Sequence, residues 1–303
     1  MYELVRAGLR DMPAEVRDVR SMLSYEERAL LFGLAQDRFD GRGLIVDAGS
    51  FVGGSTLALA CGLAARGGAP DGVIHSYDRL LLEGYSKDGY YADVEDLEVG
   101  SSLRPVFESN LASHRELVTL HEGDLLLERW DRGPIEILFV DIAKSWELNA
   151  HVVTQFFPSL MPGHGVVVQQ DLVHWQYPWC AIVMESLADH FRYAGWTWYG
   201  SSVWECVTPL QPEDLERDWR GDVGLDQGLR LLRRSARRAG GRGAALLELA
   251  RATLLLEFDR PAEALAEVER IKELYGSDVA YIEEAYRTIE HRADPALPGP
   301  EWT

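Results

Sequence analysis

The sequence predicts an α/β protein with a Rossmann-like, doubly wound, mostly parallel sheet and a small helical C-terminal region. Short apolar strand patterns alternate with helical patterns over the first two thirds of the chain. Five successive strand patterns each end in, or just before, an aspartate. Apolar strands that alternate with helices are typical of a parallel sheet covered by helices on both faces.

The individual elements follow from local patterns. Strands are predicted at residues 43–50, 72–78, 117–124, 134–144 and 164–171. Helices are predicted at residues 26–38, 55–68, 101–115, 145–163 and 178–194. Two short strands, at 196–202 and 203–209, are separated by only a turn, so we expect one of them to run antiparallel.

The composition changes near residue 211, which divides the chain into a Rossmann-like domain at 1–210 and a helical region at 211–303. The second part is rich in Ala, Leu, Glu and Arg. Its segments 244–258 and 261–276 form a predicted helical hairpin that weakly resembles one tetratricopeptide unit. A stripe of arginines at 230–238 contrasts with a strongly acidic first domain, so we expect salt links between the two parts or between subunits, and the alternative is a solvated face.

Charge and cysteine content restrict the partners. The chain has 303 residues and a formal net charge of −19, a field that repels nucleic acid and anionic membranes. No apolar stretch approaches the length of a membrane span, and the first residues lack a signal-peptide pattern. Three scattered cysteines predict no disulfide framework, so we expect a cytoplasmic protein, with a homo-oligomer left open.

The strand-end aspartates predict the site. The carboxyl ends of parallel strands lie on one edge of an open sheet, where ligands bind. Carboxylates gathered there require hydroxyls, amines, a cationic ligand or a metal as partners. The alternative is that some of them are helix caps or turn formers. The five residues are Asp47, Asp78, Asp124, Asp141 and Asp171.

The first strand-to-helix turn, DAGSFVGGST at 47–56, can be compared with three nucleotide-binding patterns. A phosphate-binding P-loop needs a lysine where Ser55 stands, and a dinucleotide fingerprint needs a glycine where Phe51 stands. The pattern D-x-G-x-x-x-G-x-S is met by Asp47, Gly49, Gly53 and Ser55. With it, residues 44–171 resemble the class I S-adenosylmethionine-dependent methyltransferases.

That resemblance implies a set of cofactor-binding residues. Asp47, Gly49, Gly53 and Ser55 would lie at the methionine part of S-adenosylmethionine, where glycines allow close backbone approach. Asp78 would accept hydrogen bonds from the ribose hydroxyls, and Asp124 would meet the adenine amine. The alternative for the glycines is a tight turn with no ligand.

A second cluster, FVDIAK at 139–144 with GVVVQQD at 165–171, resembles the metal-dependent O-methyltransferases of small molecules and of antibiotic sugars. The resemblance implies Asp141 and Asp171 as ligands of Mg²⁺. One expected neighbouring ligand is missing, because Gln170 and Leu172 flank Asp171. Two carboxylates with water and substrate suffice for Mg²⁺, and the alternative is two solvated carboxylates without a metal.

Two residues are candidates for the catalytic base. Lys144 matches the lysine of the small-molecule O-methyltransferases, and His174 follows the fifth strand. Either could instead be structural. Near them, segment 79–100 is a predicted lid, and aromatic side chains beside hydrogen-bond acceptors suit a sugar or polyhydroxylated acceptor.

The resulting expectation is an S-adenosylmethionine-dependent methyltransferase that acts on oxygen of a small metabolite or sugar. Two alternatives stay open: an enzyme similar to the cephalosporin hydroxylases on the same fold, and a non-catalytic scaffold that binds a partner through its helical C-terminal region.

Overall fold

The computed structural model describes residues 1–92, 98–198, 200–276 and 280–298. Within them, seven strands form one sheet. In chain order they are β1 (Leu44–Ala48), β2 (Ile74–Asp78), β3 (Val118–Glu122), β4 (Ile135–Val140), β5 (Val166–Gln169), β6 (Phe191–Trp196) and β7 (Ser202–Cys206). Their spatial order is β3-β2-β1-β4-β5-β7-β6. Strands β1 to β5 are parallel, and β7 is antiparallel to both neighbours. The predicted fold class is therefore confirmed.

The region after β5 differs from the sequence prediction. The helix predicted over 178–194 ends at Ser186, and the strand predicted at 196–202 is displaced to 191–196. Strand β6 ends at Trp196, and directly after it the Thr197 N–H bonds to the Ser201 carbonyl at 2.7 Å, just before β7 begins. Pairing of Phe191 with Cys206 requires this longer antiparallel hairpin, which local periodicity does not reveal.

Helices cover both faces of the sheet. The described helices are α1 (Tyr2–Asp11), α2 (Ala14–Asp18), α3 (Tyr25–Gly33), α4 (Gly54–Ala65), α5 (Gly84–Tyr90), α6 (Arg104–Asn110), α7 (Trp146–Gln155), α8 (Pro178–Ser186), α9 (Pro212–Leu215), α10 (Trp219–Ala239), α11 (Gly241–Glu257), α12 (Pro261–Tyr275) and α13 (Ala280–Ala293). Side chains of α1 to α4 and α6 share one apolar cluster with Ile45, Ile137 and Val168. Side chains of α7, α8 and α10 to α13 share the other with Val46, Leu138 and Val167.

The C-terminal helices form an outer layer on α8. The predicted hairpin at 244–276 is confirmed as α11 and α12, with Gly276 at the end of α12. Arg234 and Arg238 of α10 both pair with Glu185 of α8, whose side chain is fully buried. The expected salt links between the two parts are therefore present. The division at residue 211 stays a prediction, because the two parts share one apolar cluster.

The cysteines and the apolarity of the helices complete the description of the fold. Cys61, Cys180 and Cys206 are free and buried. Among the described helices, none combines the length and apolarity that crossing a bilayer requires.

A stacked histidine pair joins the edge strand β3 to its neighbour β2. His75 Nδ1 lies 2.9 Å from His121 Nε2, and His121 also stacks on Tyr77. Burial lowers the pKa of His75 to about 4, with His121 contributing. The folded protein therefore keeps His75 neutral, while the unfolded chain takes up a proton below its ordinary pKa of about 6.5.

This pair predicts a pH-dependent stability. The contribution of neutral His75 to the free energy of unfolding is complete above pH ~6.5. It is lost as the pH falls toward 4, which lowers the free energy of unfolding by about 3 kcal/mol. We expect the urea midpoint of the wild type to fall more steeply across this window than that of His75→Gln, which does not titrate. Parallel pH profiles of the two proteins would contradict the prediction.

Candidate active site

The carboxyl ends of β1, β2, β4 and β5 meet at one edge of the sheet. The Gly49 N–H bonds to the Tyr77 carbonyl at 2.9 Å, and the Asp141 N–H bonds to the Ala48 carbonyl at 2.7 Å. Asp78 is the last residue of β2, and Asp141 directly follows β4. The structure thus brings these aspartates to a shared edge, as the sequence predicts.

The turn from β1 to α4 requires glycine at two positions. Gly49 has φ +100°, and a Cβ there would lie 2.5 Å from the Asp141 carbonyl oxygen. Gly53 has φ +86°, and its Cβ would lie 3.1 Å from the Phe107 ring. Between them Phe51 adopts φ +49°, a strained conformation for a bulky residue. The turn brings the backbone close to β4, and its strain is typical of a ligand-binding turn.

Asp47 points beneath α4. Its Oδ2 accepts hydrogen bonds from the hydroxyls of Ser55 at 2.8 Å and Thr56 at 2.5 Å. Among the described residues, Asp47 Oδ1 and the nearby Ser50 Oγ are buried without a hydrogen-bond partner. Burial raises the pKa of Asp47 to about 6. Two orphaned polar atoms at the turn are a second feature that favours a polar ligand there.

Asp78 binds the backbone on both sides of it. Its Oδ2 accepts the Phe51 N–H at 2.8 Å, and its Oδ1 accepts the Leu80 N–H at 2.7 Å. Burial raises the pKa of this carboxyl. Each oxygen keeps a second acceptor position, so Asp78 can also receive ligand hydroxyls.

Asp124 is separate from this group. β3 ends at Glu122, and Asp124 is an exposed N-cap whose Oδ1 accepts the Leu126 N–H at 3.0 Å. The capping alternative explains its present contacts, and its assignment to adenine stays a prediction.

Lys144 joins the carboxylates at the ends of β4 and β5. Its Nζ lies 2.8 Å from Asp141 Oδ1 and also pairs with Asp171 Oδ2. Gln170 Oε1 lies 3.4 Å from the same Nζ. Asp171 holds φ +61°, a left-handed conformation that aspartate tolerates better than most residues.

The charge states of this cluster follow from its composition. Burial, opposed by the Lys144 ammonium, raises the pKa of Asp141 to about 7. Burial alone would lower the pKa of Lys144, but Asp141 and Asp171 outweigh it and hold that pKa well above its usual value. Lys144 is therefore a permanent cation at neutral pH and a poor proton acceptor.

His174 lies beside this cluster. Its ring stacks on Tyr177 at 4.8 Å between centroids, and the Tyr177 ring lies 5.4 Å from Lys144 Nζ. Burial lowers the pKa of His174, so the ring is neutral at pH 7. Its Nδ1 accepts the Gln176 N–H at 3.1 Å, which occupies the lone pair that a base would use.

Glu27 is a buried carboxylate that the sequence interpretation missed. It forms a capping box with Ser24 at the start of α3, and its Oε1 accepts the Ser201 hydroxyl at 2.7 Å. Burial raises the pKa of Glu27, and Asp171 contributes. The motif Ser-x-x-Glu at 24–27 was the available signal.

The predicted lid and acceptor region are partly described. Segment 79–100 contains helix α5, and residues 93–97 lie outside the described residues. A cavity of about 380 Å³ lies at the same edge of the sheet, beyond β5 and β7. It is lined by aromatic and charged side chains that include Trp196, Trp198, Tyr2, Glu26 and Arg242.

Two other clusters have the composition of metal sites. Asp40, Glu136 and His164 converge near the amino ends of β1, β4 and β5, opposite the candidate active site. Glu15, Cys61 and His114 converge between α2 and α4. Neither contains a residue of the candidate active site.

No family model and no curated protein matches the chain. Among solved structures it is similar to CalS11, a TDP-rhamnose 3'-O-methyltransferase of calicheamicin biosynthesis, with 17% identity and a TM-score of 0.44. That superposition covers 67% of this chain and 93% of CalS11.

Two further solved structures have comparable values. The O-methyltransferase from Bacillus cereus in complex with S-adenosylhomocysteine has 16% identity and a TM-score of 0.42, over 68% of this chain and 90% of that one. A Podospora anserina methyltransferase bound to S-adenosylhomocysteine has 15% identity and a TM-score of 0.41, over 68% and 87%. Such remote likenesses assign neither an activity nor a substrate to this chain.

Proposed function

We propose that the chain is an S-adenosylmethionine-dependent methyltransferase that methylates an oxygen of a small, hydroxylated acceptor. The observation that carries the proposal is the arrangement at the carboxyl edge of the sheet. A strained glycine turn with orphaned polar atoms and an adjacent acidic strand end lies next to a second, lysine-bridged acidic cluster. One half suits a cationic nucleoside, and the other suits an acceptor hydroxyl.

The residues at the first half fit the cofactor. The carboxylate oxygen Asp47 Oδ1 and the Ser50 hydroxyl are buried without a partner in the described chain. Asp47 Oδ1 can accept from the ammonium group of the methionine part, and the Ser50 hydroxyl can donate to its carboxylate. Asp78 suits the two ribose hydroxyls. The turn at 47–56 carries no lysine or arginine, which agrees with a ligand that has no phosphate. When bound, S-adenosylmethionine supplies an electrophilic methyl group on a sulfonium and leaves as the thioether.

The residues of the lysine-bridged acidic cluster accept the proton of the acceptor hydroxyl. Asp141 and Asp171 share one ammonium, so the three groups carry a net charge of −1 when both carboxylates are ionised. This excess carboxylate removes the proton of the acceptor hydroxyl, while the Lys144 ammonium stabilises the oxygen as its negative charge develops. In this scheme Lys144 is an electrostatic residue, and His174 supports the Tyr177 ring.

The acceptor class is proposed from aromatic side chains at this edge of the sheet. Tyr177 lies beside Lys144, and a separate cavity combines Trp196 and Trp198 with Glu26 and Arg242. Flat aromatic faces suit the rings of a sugar or polyhydroxylated metabolite, while the acidic and basic groups suit its hydroxyls. A small-molecule acceptor also agrees with the net charge of −19, which disfavours nucleic acid.

Mg²⁺ does not fit these side chains in their present arrangement. Asp141 and Asp171 are the ligands that the resemblance to metal-dependent enzymes implies, and both already contact Lys144 Nζ, as does the neighbouring Gln170 Oε1. Mg²⁺ therefore has no part in the proposed reaction.

Calorimetry and a transfer assay test the proposal. We expect micromolar binding of S-adenosylhomocysteine and no binding of NAD. With radiolabelled S-adenosylmethionine and a panel of sugars and polyhydroxylated aglycones, we expect methyl transfer that Asp141→Asn reduces at least about a hundredfold. That variant keeps its affinity for S-adenosylhomocysteine, and the exposed control Asp189→Asn keeps both properties. Absence of S-adenosylhomocysteine binding would reject the proposal, and binding without transfer would favour the scaffold alternative.

A further inference from the structure

We propose that the Lys144 ammonium replaces a divalent cation between Asp141 and Asp171, so that this site carries its positive charge in the chain itself. The catalytic meaning of this inference rests on the proposed function. The occupancy of the site by the ammonium is independent of it and is tested separately.

Three oxygen atoms from two strand ends converge on Nζ. Asp141 Oδ1 lies at 2.8 Å and Gln170 Oε1 at 3.4 Å, and Asp171 Oδ2 completes the set. An ammonium has three hydrogens to donate, so its donors match the number of acceptors. The two carboxylates are mostly buried, with side-chain exposures of 19% and 13%, whereas Lys144 is 41% exposed. The cation therefore faces the rim of the site, where an acceptor would arrive.

The surrounding contacts hold this arrangement in place. The Lys144 N–H bonds to the Ile142 carbonyl at 2.7 Å, and Trp179 Nε1 donates to the Ala143 carbonyl at 2.6 Å. These bonds fix the loop that carries Lys144. On the other side, Asp171 adopts a positive φ, and its carboxylate pairs with Lys144. The Tyr177 ring adds a cation–π face 5.4 Å from Nζ.

The ligand set alone is poor for a divalent cation. Mg²⁺ takes about six oxygen ligands and binds through carboxylates and water. Here the residue after Asp171 is the apolar, buried Leu172, and the residue before it offers a neutral amide. A divalent ion at the same oxygens would also lie within a few ångströms of a fixed positive charge. It could enter only if Lys144 left.

Manganese binding by the whole, chelator-treated chain tests the inference. The probe is MnCl₂, followed by electron paramagnetic resonance of the free ion. We expect the wild type and Asp171→Asn to bind Mn²⁺ equally, because the intact site holds no Mn²⁺ at Asp171. We expect Lys144→Ala to bind Mn²⁺ at least tenfold more tightly than the wild type, because the oxygens lose their resident cation.

A matched double variant locates the new binding. Lys144→Ala combined with Asp171→Asn should lose the added affinity, whereas Lys144→Arg should stay at the wild-type level because it keeps the positive charge. Near-UV circular dichroism reports folding in every variant, independently of S-adenosylhomocysteine binding. Wild-type Mn²⁺ binding that depends on Asp171 would overturn the inference, as would a folded Lys144→Ala variant without added Mn²⁺ affinity. If the wild type does not bind S-adenosylhomocysteine, the proposed function is rejected. The Mn²⁺ affinities still show whether the ammonium occupies the site.

Discussion

Replacing Asp78 with asparagine is expected to weaken S-adenosylhomocysteine binding at least about a hundredfold. Both carboxylate oxygens accept backbone N–H groups, from Phe51 and Leu80, and the same carboxylate is proposed to bind the two ribose hydroxyls. Asparagine presents an NH₂ group where one of these N–H donors points. The loss of charge-assisted bonds to two hydroxyls corresponds to about 3 kcal/mol, which is roughly two orders of magnitude in affinity.

The measurement is titration calorimetry with S-adenosylhomocysteine, supported by near-UV circular dichroism to monitor the fold. Asp71→Asn is the matched control, because Asp71 is exposed in the turn before β2. It should bind like the wild type. An Asp78→Asn variant with unchanged affinity would remove Asp78 from the cofactor site.

Removing both Arg234 and Arg238 is expected to destabilise the protein by about 3 kcal/mol. Both guanidinium groups pair with Glu185, whose side chain has no exposed surface. The double alanine variant leaves a buried carboxylate without its ion-pair partners, and breaking such an interaction typically costs about 3–5 kcal/mol. Because α10 packs on α8, we expect the loss to appear in the unfolding of the whole protein.

Urea unfolding followed by far-UV circular dichroism provides the free energy of unfolding. Arg230→Ala with Arg237→Ala is the matched control on the same helix, since both side chains are exposed. We expect this control to change the free energy of unfolding by less than about 1 kcal/mol. Equal effects of the two double variants would show that the buried ion pairs do not stabilise the attachment of the C-terminal helices.

Predictions from local pattern succeeded where the responsible interactions are local. The strands that end near Asp47, Asp78 and Asp141 are short apolar runs beside glycine turns. The turn at 47–56 needs glycine because of its backbone conformation. The two helices of the C-terminal hairpin are bounded by Pro261 and Gly276, which are local start and stop signals.

Predictions failed or stayed open where the position of a strand or the partner of a side chain depends on residues distant in the chain. The strand β6 was misplaced because its register depends on β7, and Asp124 was grouped with the other aspartates although β3 ends before it. The capping box of Glu27 with Ser24 is a local signal, but the contact of Glu27 with Ser201, 174 residues further along the chain, is not visible in a local pattern.

The sequence by itself determined the alternation of strands and helices and the acidic character of the strand ends, because periodicity and turn chemistry act over a few residues. Tertiary structure alone decided which atoms those carboxylates contact. Asp47 faces the hydroxyls of α4, whereas Asp141 and Asp171, 30 positions apart, meet at Lys144. The reason is that neighbouring strands in the sheet are distant in the chain, so the partner of a strand-end charge is set by strand order and register.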